Sequence, residues 1–144
     1  MSLIPAGLYT QILGSVPILC VDVVVQSDRG EYLLVRRTNE PRRGQWWVLG
    51  GRVFKGETLQ AAAIRKLREE AGLEVSSVQP IGYYEAVHQE HPFGLPEAYH
   101  AVSVVFMARV TGFRAVRLDD QSVEWKAAKE LPEDFRVHSY TSPT

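Results

Sequence analysis

The sequence predicts an α+β domain, and three observations predict it. Apolar runs of strand length, rich in Val and Ile, stand on both sides of one helix with legible ends. That helix follows a glycine loop and stops at a glycine. The chain has 144 residues, enough for one domain with a real core and too few for two comfortable ones. A single domain over residues 1–144 is the expectation.

The opening residues are mixed, with a weak signal for a short strand or helix around residues 8–13. Pro17 then opens a run over residues 18–26 that is apolar on both faces, as in a central strand. Asp22 interrupts this run. Its apolar neighbours predict at least partial burial, so its carboxylate needs a ligand or a partner; the plainer alternative is an edge residue or a satisfied buried acid. Asp28-Arg29-Gly30 reads as a hairpin turn and residues 32–36 as the partner strand. Residues 38–45 form a Pro-, Gly- and Arg-rich loop.

Residues 46–49, Trp-Trp-Val-Leu, read as one short strand running into Gly50-Gly51. One tryptophan belongs in the core and the other at the site mouth, and the pattern does not say which. Farther on, residues 81–89 and 99–110 read as strands around a Pro/Gly loop at 91–97. Asp119-Asp120-Gln121-Ser122 is a polar turn before residues 123–125, and residues 129–135 have room for one helical turn.

Residues 51–73 organise the rest. Gly50-Gly51 and Gly56 permit a tight lead-in loop. Thr58 is the expected N-cap, with Glu57 placing negative charge at the positive end of the helix. Residues 59–70 contain no Gly or Pro, and Gly72 fits the left-handed position past the end. At 3.6 residues per turn, Leu59, Ala62, Ala63, Lys66 and Glu70 share a face. Glu70 therefore points toward the fold, where an unpaired charge is very costly. In the ordinary reading, Arg65–Glu69 and Lys66–Glu70 are i,i+4 pairs on a wet helix, worth ~0.2–0.5 kcal/mol each. The alignment of Glu70 with small apolar residues, the glycine loop, and Glu57 at the junction favour another reading. Oxygen ligands converging from a helix face and a bent loop suit a hard divalent ion such as Mg²⁺.

The spacing resembles the Nudix box, G-x5-E-x7-R-E-U-x-E-E-x-G-U with U aliphatic. The matches are Gly51, Glu57, Arg65, Leu67, Glu69, Glu70, Gly72 and Leu73; Lys66 stands where the box has Glu. The resemblance implies an α/β/α sandwich around a mixed sheet. It also implies Mg²⁺- or Mn²⁺-dependent attack on a nucleoside diphosphate linked to another group. Outside the box, Val21-Asp22-Val23-Val24, residues 27–34, Arg37-Thr38-Asn39, Pro41, Gly44, Trp46 and Gly50-Gly51-Arg52-Val53 look like the GDP-mannose mannosyl hydrolases. That subfamily also departs from the box at the position of Lys66, and it cleaves the sugar C1–O bond to give GDP and mannose.

The resemblance also implies roles for single residues. Glu70 matches the helix carboxylate that holds the metal, Gly50 the glycine whose carbonyl is a ligand, and Gln121 a further ligand. Arg37 and Arg52 match arginines that neutralise the departing GDP, Asp22 an acid of the sugar pocket, and His88 a histidine near the site. Trp46 joins Asp22, Arg37 and Arg52 as a substrate contact. A departing diphosphate gains negative charge, so cations aimed at it lower the barrier, and guanidinium forks suit phosphate oxygens. The ordinary reading of the arginines is plain surface charge, and a strand histidine such as His88 is more often packed than catalytic. The subfamily's proposed base, a histidine after the glutamine ligand, is Ser122 here, and serine accepts no proton at neutral pH as imidazole does.

This chain keeps both Glu69 and Glu70, so a P–O–P-cleaving diphosphohydrolase stays open, with both carboxylates holding Mg²⁺ and water attacking phosphorus. Three readings stand in order: a GDP-sugar glycosyl hydrolase, a nucleoside diphosphate-X or triphosphate pyrophosphohydrolase, and a non-catalytic nucleotide-binding domain. The net charge of −1 gives no electrostatic case for nucleic acid or membrane partners. Cys20 is the only cysteine and reads as a buried structural thiol, so no intrachain disulfide forms. No run is long enough to span a bilayer and no leader pattern opens the chain, so the expected location is cytoplasmic. The expected substrate is a small-molecule nucleotide sugar, and the subfamily resemblance implies a homodimer.

Overall fold

The computed structural model describes residues 4–38, 43–88, 99–118 and 122–139, with backbone alone at His88, Tyr99, Ser122 and Val123. Its elements run α1 (Ala6–Ser15), β1 (Ile18–Ser27), β2 (Tyr32–Arg37), β3 (Trp46–Trp47), β4 (Leu49–Arg52), α2 (Leu59–Ala71), β5 (Gln79–His88), β6 (Tyr99–Val110), β7 (Ser122–Ala128) and β8 (His138–Ser139). The weak N-terminal signal resolves as a helix, α1.

The sheet is mixed, as the Nudix resemblance implies. β1 lies at its centre, parallel to β6 on one edge; the other pairings are antiparallel. The opposite edge of β1 is shared. β2 touches it only at Gln26↔Tyr32, and β4 pairs with residues 20–23. β2 therefore diverges from β1 after the hairpin, carrying β7 on its far edge. Gly30 makes the hairpin turn at φ 78°, a left-handed conformation that glycine adopts without steric cost.

Residues 46–52 fill the wedge between β1 and β2. Trp46–Trp47 pairs with β2, and the chain crosses at Val48 so that Leu49–Arg52 pairs with β1. The single strand expected over residues 46–49 is thus two. No alternation pattern reveals a mid-run change of partner, because both halves are buried and both are extended. Trp47 is the core tryptophan, edge-on to Tyr84 and Phe135 at 6.0 and 5.2 Å. Trp46 is half-buried under the Lys126 ammonium, 4.5 Å from its ring.

Each face of the sheet has its own core. Val21, Val23 and Leu49 meet Ala62, Ala63 and Leu67 of α2, while Val24, Val105, Trp47 and Phe135 pack on the other side. α1 stands on that second side, since its Tyr9 lies against Arg52, whose strand partner is Cys20. This is the two-sided helical arrangement expected of the family. Residues 129–135 form no helical turn. Instead Phe135 N–H closes a turn on Pro132 C=O (2.9 Å), which seats Phe135 in the core and leads into β8.

Candidate active site

The glycine loop and α2 meet around Gly50. Thr58 caps α2 by accepting from Ala61 N–H (3.1 Å), and Gly72 ends it in the left-handed region at φ 65°. These ends fix the rotation of the helix. Glu70 is turned inward and only 3% exposed, and its Oε1 accepts the Gly50 N–H at 3.0 Å. Because that N–H goes to Glu70 and not to β1, Asp22↔Gly50 is a non-hydrogen-bonded pair. In such a pair the carbonyl leaves on the same side as the N–H. The Gly50 carbonyl thus faces away from β1, along the edge of β4 nearest Glu70.

Asp22 lies on the other face of the same residue. A Cβ on Gly50 would collide with Asp22 Oδ1 and Val21 C=O, whereas a Cβ on Gly51 would meet Lys66 Cε at 2.8 Å. Side chains alternate along a strand, so Gly51 opens toward α2 and Gly50 toward Asp22. Arg52 follows on the Asp22 face, with its guanidinium 5.5 Å from the Tyr9 ring and 4.9 Å from that of Phe54.

Both i,i+4 pairs exist: Arg65–Glu69 reaches solvent as the ordinary reading has it, whereas Lys66–Glu70 is shielded. Lys66 Nζ lies 3.5 Å from Glu70 Oε1 and 3.9 Å from Glu69 Oε2, with Lys66 only 15% exposed and Glu69 48% exposed. Arg65 is a hub. It grips Glu57 through Nε–Oε2 (2.6 Å) and Nη2–Oε1 (3.0 Å), reaches Glu69 at 3.1 Å and donates to Arg52 C=O at 3.0 Å. Its guanidinium also lies 3.8 Å from the Phe54 ring centre. Glu57 is thus held by Arg65 and by the Phe54 N–H (3.0 Å), and it braces the loop against the helix. Only the three-dimensional path of the loop shows which cation Glu57 faces.

Arg65 holds the Glu57 carboxyl below its ordinary value of 4.5, outweighing the burial that would raise it. A depressed folded value contributes stability that is present above the unfolded value and lost as pH falls through the folded one. Glu57→Gln removes this contribution. The difference in melting temperature between wild type and the variant should therefore be largest near neutrality and shrink below about pH 4.5. A melting series through the acid range reads it directly.

Other expected site residues are less gathered. Arg37 ends β2 opposite Ser122, past a register shift, at the open end of the wedge. Among the described residues its buried Nε has no hydrogen-bond partner. His88 is not brought to Gly50. The Asp22 row runs through Val105 to Gly82, six residues before His88, which is about 20 Å along the strand. Gln121 lies outside the described residues. A cavity of about 740 Å³, bordered by Glu74, Gln79, Arg109 and Thr111, lies beyond the C-terminal end of α2 and is lined by none of the expected site residues.

The donors fit a single hard cation with few protein ligands. Among the described residues no three His, Cys, Asp or Glu side chains converge as a metal cage. Glu70, Glu69 and the Gly50 carbonyl are oxygen donors, and Mg²⁺ typically takes one or two carboxylates plus substrate phosphates and water. Among the described residues no helix is long and apolar enough to cross a membrane.

The NUDIX domain family model matches residues 16–142. Low-salt glycan biosynthesis protein Agl8 of Haloferax volcanii is 35% identical over 121 residues, covering 84% of this chain and 72% of that protein. ADP-ribose pyrophosphatase of Methanocaldococcus jannaschii is 32% identical over 117 residues, covering 81% of this chain and 65% of that protein. Among solved structures, the MutT protein from Methanosarcina mazei Go1 superposes with a TM-score of 0.63 at 27% identity, over 79% of this chain and 78% of that one. The loop–helix geometry and these matches agree, and the chain belongs to the Nudix hydrolase family.

Proposed function

We propose that the chain, as one Nudix domain, is an Mg²⁺-dependent hydrolase of a nucleotide sugar, with GDP-mannose the first candidate and GDP plus free sugar the products. The observation that carries this is the two-sided setting of Gly50. Its N–H is held by Glu70 on the α2 side, and its strand partner Asp22 presents a carboxylate on the other. Glu70, Glu69 and the Gly50 carbonyl would hold the ion, which neutralises charge gathering on the diphosphate. Gln121 is the further ligand on this reading.

The chain's own residues do the rest. Arg52, braced by Tyr9 and Phe54, and Arg37, with its buried Nε, present guanidinium groups for phosphate oxygens. Trp46 borders the wedge as a flat contact for base or sugar. Asp22 faces the sugar and is the first candidate to take the proton of the attacking water, in place of the histidine that Ser122 replaces. His88, set apart by the register, receives no catalytic role. The glycan-biosynthesis relative supports a sugar substrate.

A second reading is favoured by Glu69 beside Glu70 and by the relative named ADP-ribose pyrophosphatase: attack at phosphorus on a P–O–P bond. Incubation with GDP-mannose and Mg²⁺, followed by ion-exchange chromatography, separates the two. GDP and mannose establish C–O cleavage. GMP and mannose 1-phosphate establish attack at phosphorus. Absence of turnover on this and on a panel of nucleotide sugars, with ligand-induced stabilisation retained, would leave a binding domain.

A further inference from the structure

We propose that Lys66 is a resident cation of this site, weakening its hold on free divalent ions so that an ion binds firmly only together with the substrate diphosphate. This rests on the reading of Glu69 and Glu70 as metal ligands. The ammonium stands 3.5 Å from Glu70 Oε1 and 3.9 Å from Glu69 Oε2, the two carboxylates that would take the ion. It is not a solvated tip that can swing aside at no cost. Lys66 is 15% exposed, and its tail fills the space left beside Gly51, where a Cβ would come within 2.8 Å of Cε and 3.0 Å of Nζ.

The charges decide the direction. Glu57, Glu69 and Glu70 face Arg65 and Lys66, which leaves one net negative charge for a doubly charged ion. Arg65 is held by Glu57 and by the Arg52 carbonyl, so it is fixed. Lys66 is thus the cation whose removal changes the field at Glu70 most. Ion affinity at oxygen sites follows ligand charge count. A diphosphate brings about two further negative charges and supplies what Lys66 subtracts. Metal and substrate would then bind as coupled ligands, each raising the affinity of the other.

The test needs no turnover. Mn²⁺ is titrated into wild type, K66Q and K66E without nucleotide, and free ion is read by electron paramagnetic resonance. K66Q is expected to tighten Mn²⁺ binding by about tenfold or more, given the interaction of unit charges near 4 Å at a partly shielded site, and K66E further. If Lys66→Glu disturbs folding through its three neighbouring acids, K66Q alone decides. Equal Kd in wild type and K66Q overturns the proposal. Glu70→Gln in the K66Q background should abolish the gain. A gain that survives it places the ion elsewhere and overturns the metal reading as well. Weakening on Glu70→Gln alone, without any gain in K66Q, overturns only the role of Lys66.

Discussion

Glu70→Gln is expected to lower Mg²⁺-dependent turnover of the nucleotide substrate by about 10²–10³-fold while the fold persists. Glutamine has nearly the same shape, and its amide oxygen can still accept the Gly50 N–H that Glu70 Oε1 accepts at 3.0 Å. What disappears is the negative charge, and with it the nearer of the two carboxylates beside Lys66 and a ligand for the ion. Because Glu70 is buried, solvent cannot substitute for it as it could for an exposed acid. Steady-state kinetics beside a melting curve separate the two effects. Turnover within a few-fold of wild type would remove Glu70 from the mechanism and undo both enzyme readings. Loss of activity with an equal collapse of melting temperature would instead mark Glu70 as structural.

Arg65→Ala should destabilise the protein by about 3 kcal/mol, chiefly by stranding Glu57 with its charged hydrogen bonds unmade. The pair is largely shielded, with Arg65 17% and Glu57 15% exposed, so the modest value of surface ion pairs does not apply. The guanidinium also ties the Arg52 carbonyl to the helix and covers the Phe54 ring. Loop, helix and the strand that carries Gly50 therefore loosen together. For a chain of 144 residues this corresponds to a melting temperature lower by roughly 10 °C. Arg65→Lys should recover only part of it, because an ammonium cannot make the forked contact with both Glu57 oxygens. Full stability in Arg65→Lys would show that charge alone, and not the planar fork, holds the loop.

Much of the site is legible in the sequence where local rules govern. The Thr58 cap, the Gly72 stop and the inward face of Glu70 follow from helix period and terminal chemistry, and the structure keeps all three. β6 occupies the expected residues 99–110, and β1 is the central strand its two-sided apolar pattern predicts. The errors fall where pairing is long-range. Residues 46–52 change partner at Val48, a feature of the wedge between two diverging strands. β8 has two residues and takes its place from the Phe135 turn and the space above Gly82, where a Cβ would strike the His138 carbonyl.

By itself, then, the sequence determined the helix, its inward acid, the central strand and the family. These rest on short-range periodicity and on fixed spacing within one segment. Tertiary structure alone decided that Asp22 backs onto Gly50, that Glu57 serves Arg65, and that Lys66 stands between Glu69 and Glu70 beside Gly51. It also decided that His88 lies far along β5 from the Asp22 row. The reason is that strand register and the docking of a helix on a sheet are set by burial summed over the whole core. No local pattern encodes which residues of two distant segments finish opposite one another.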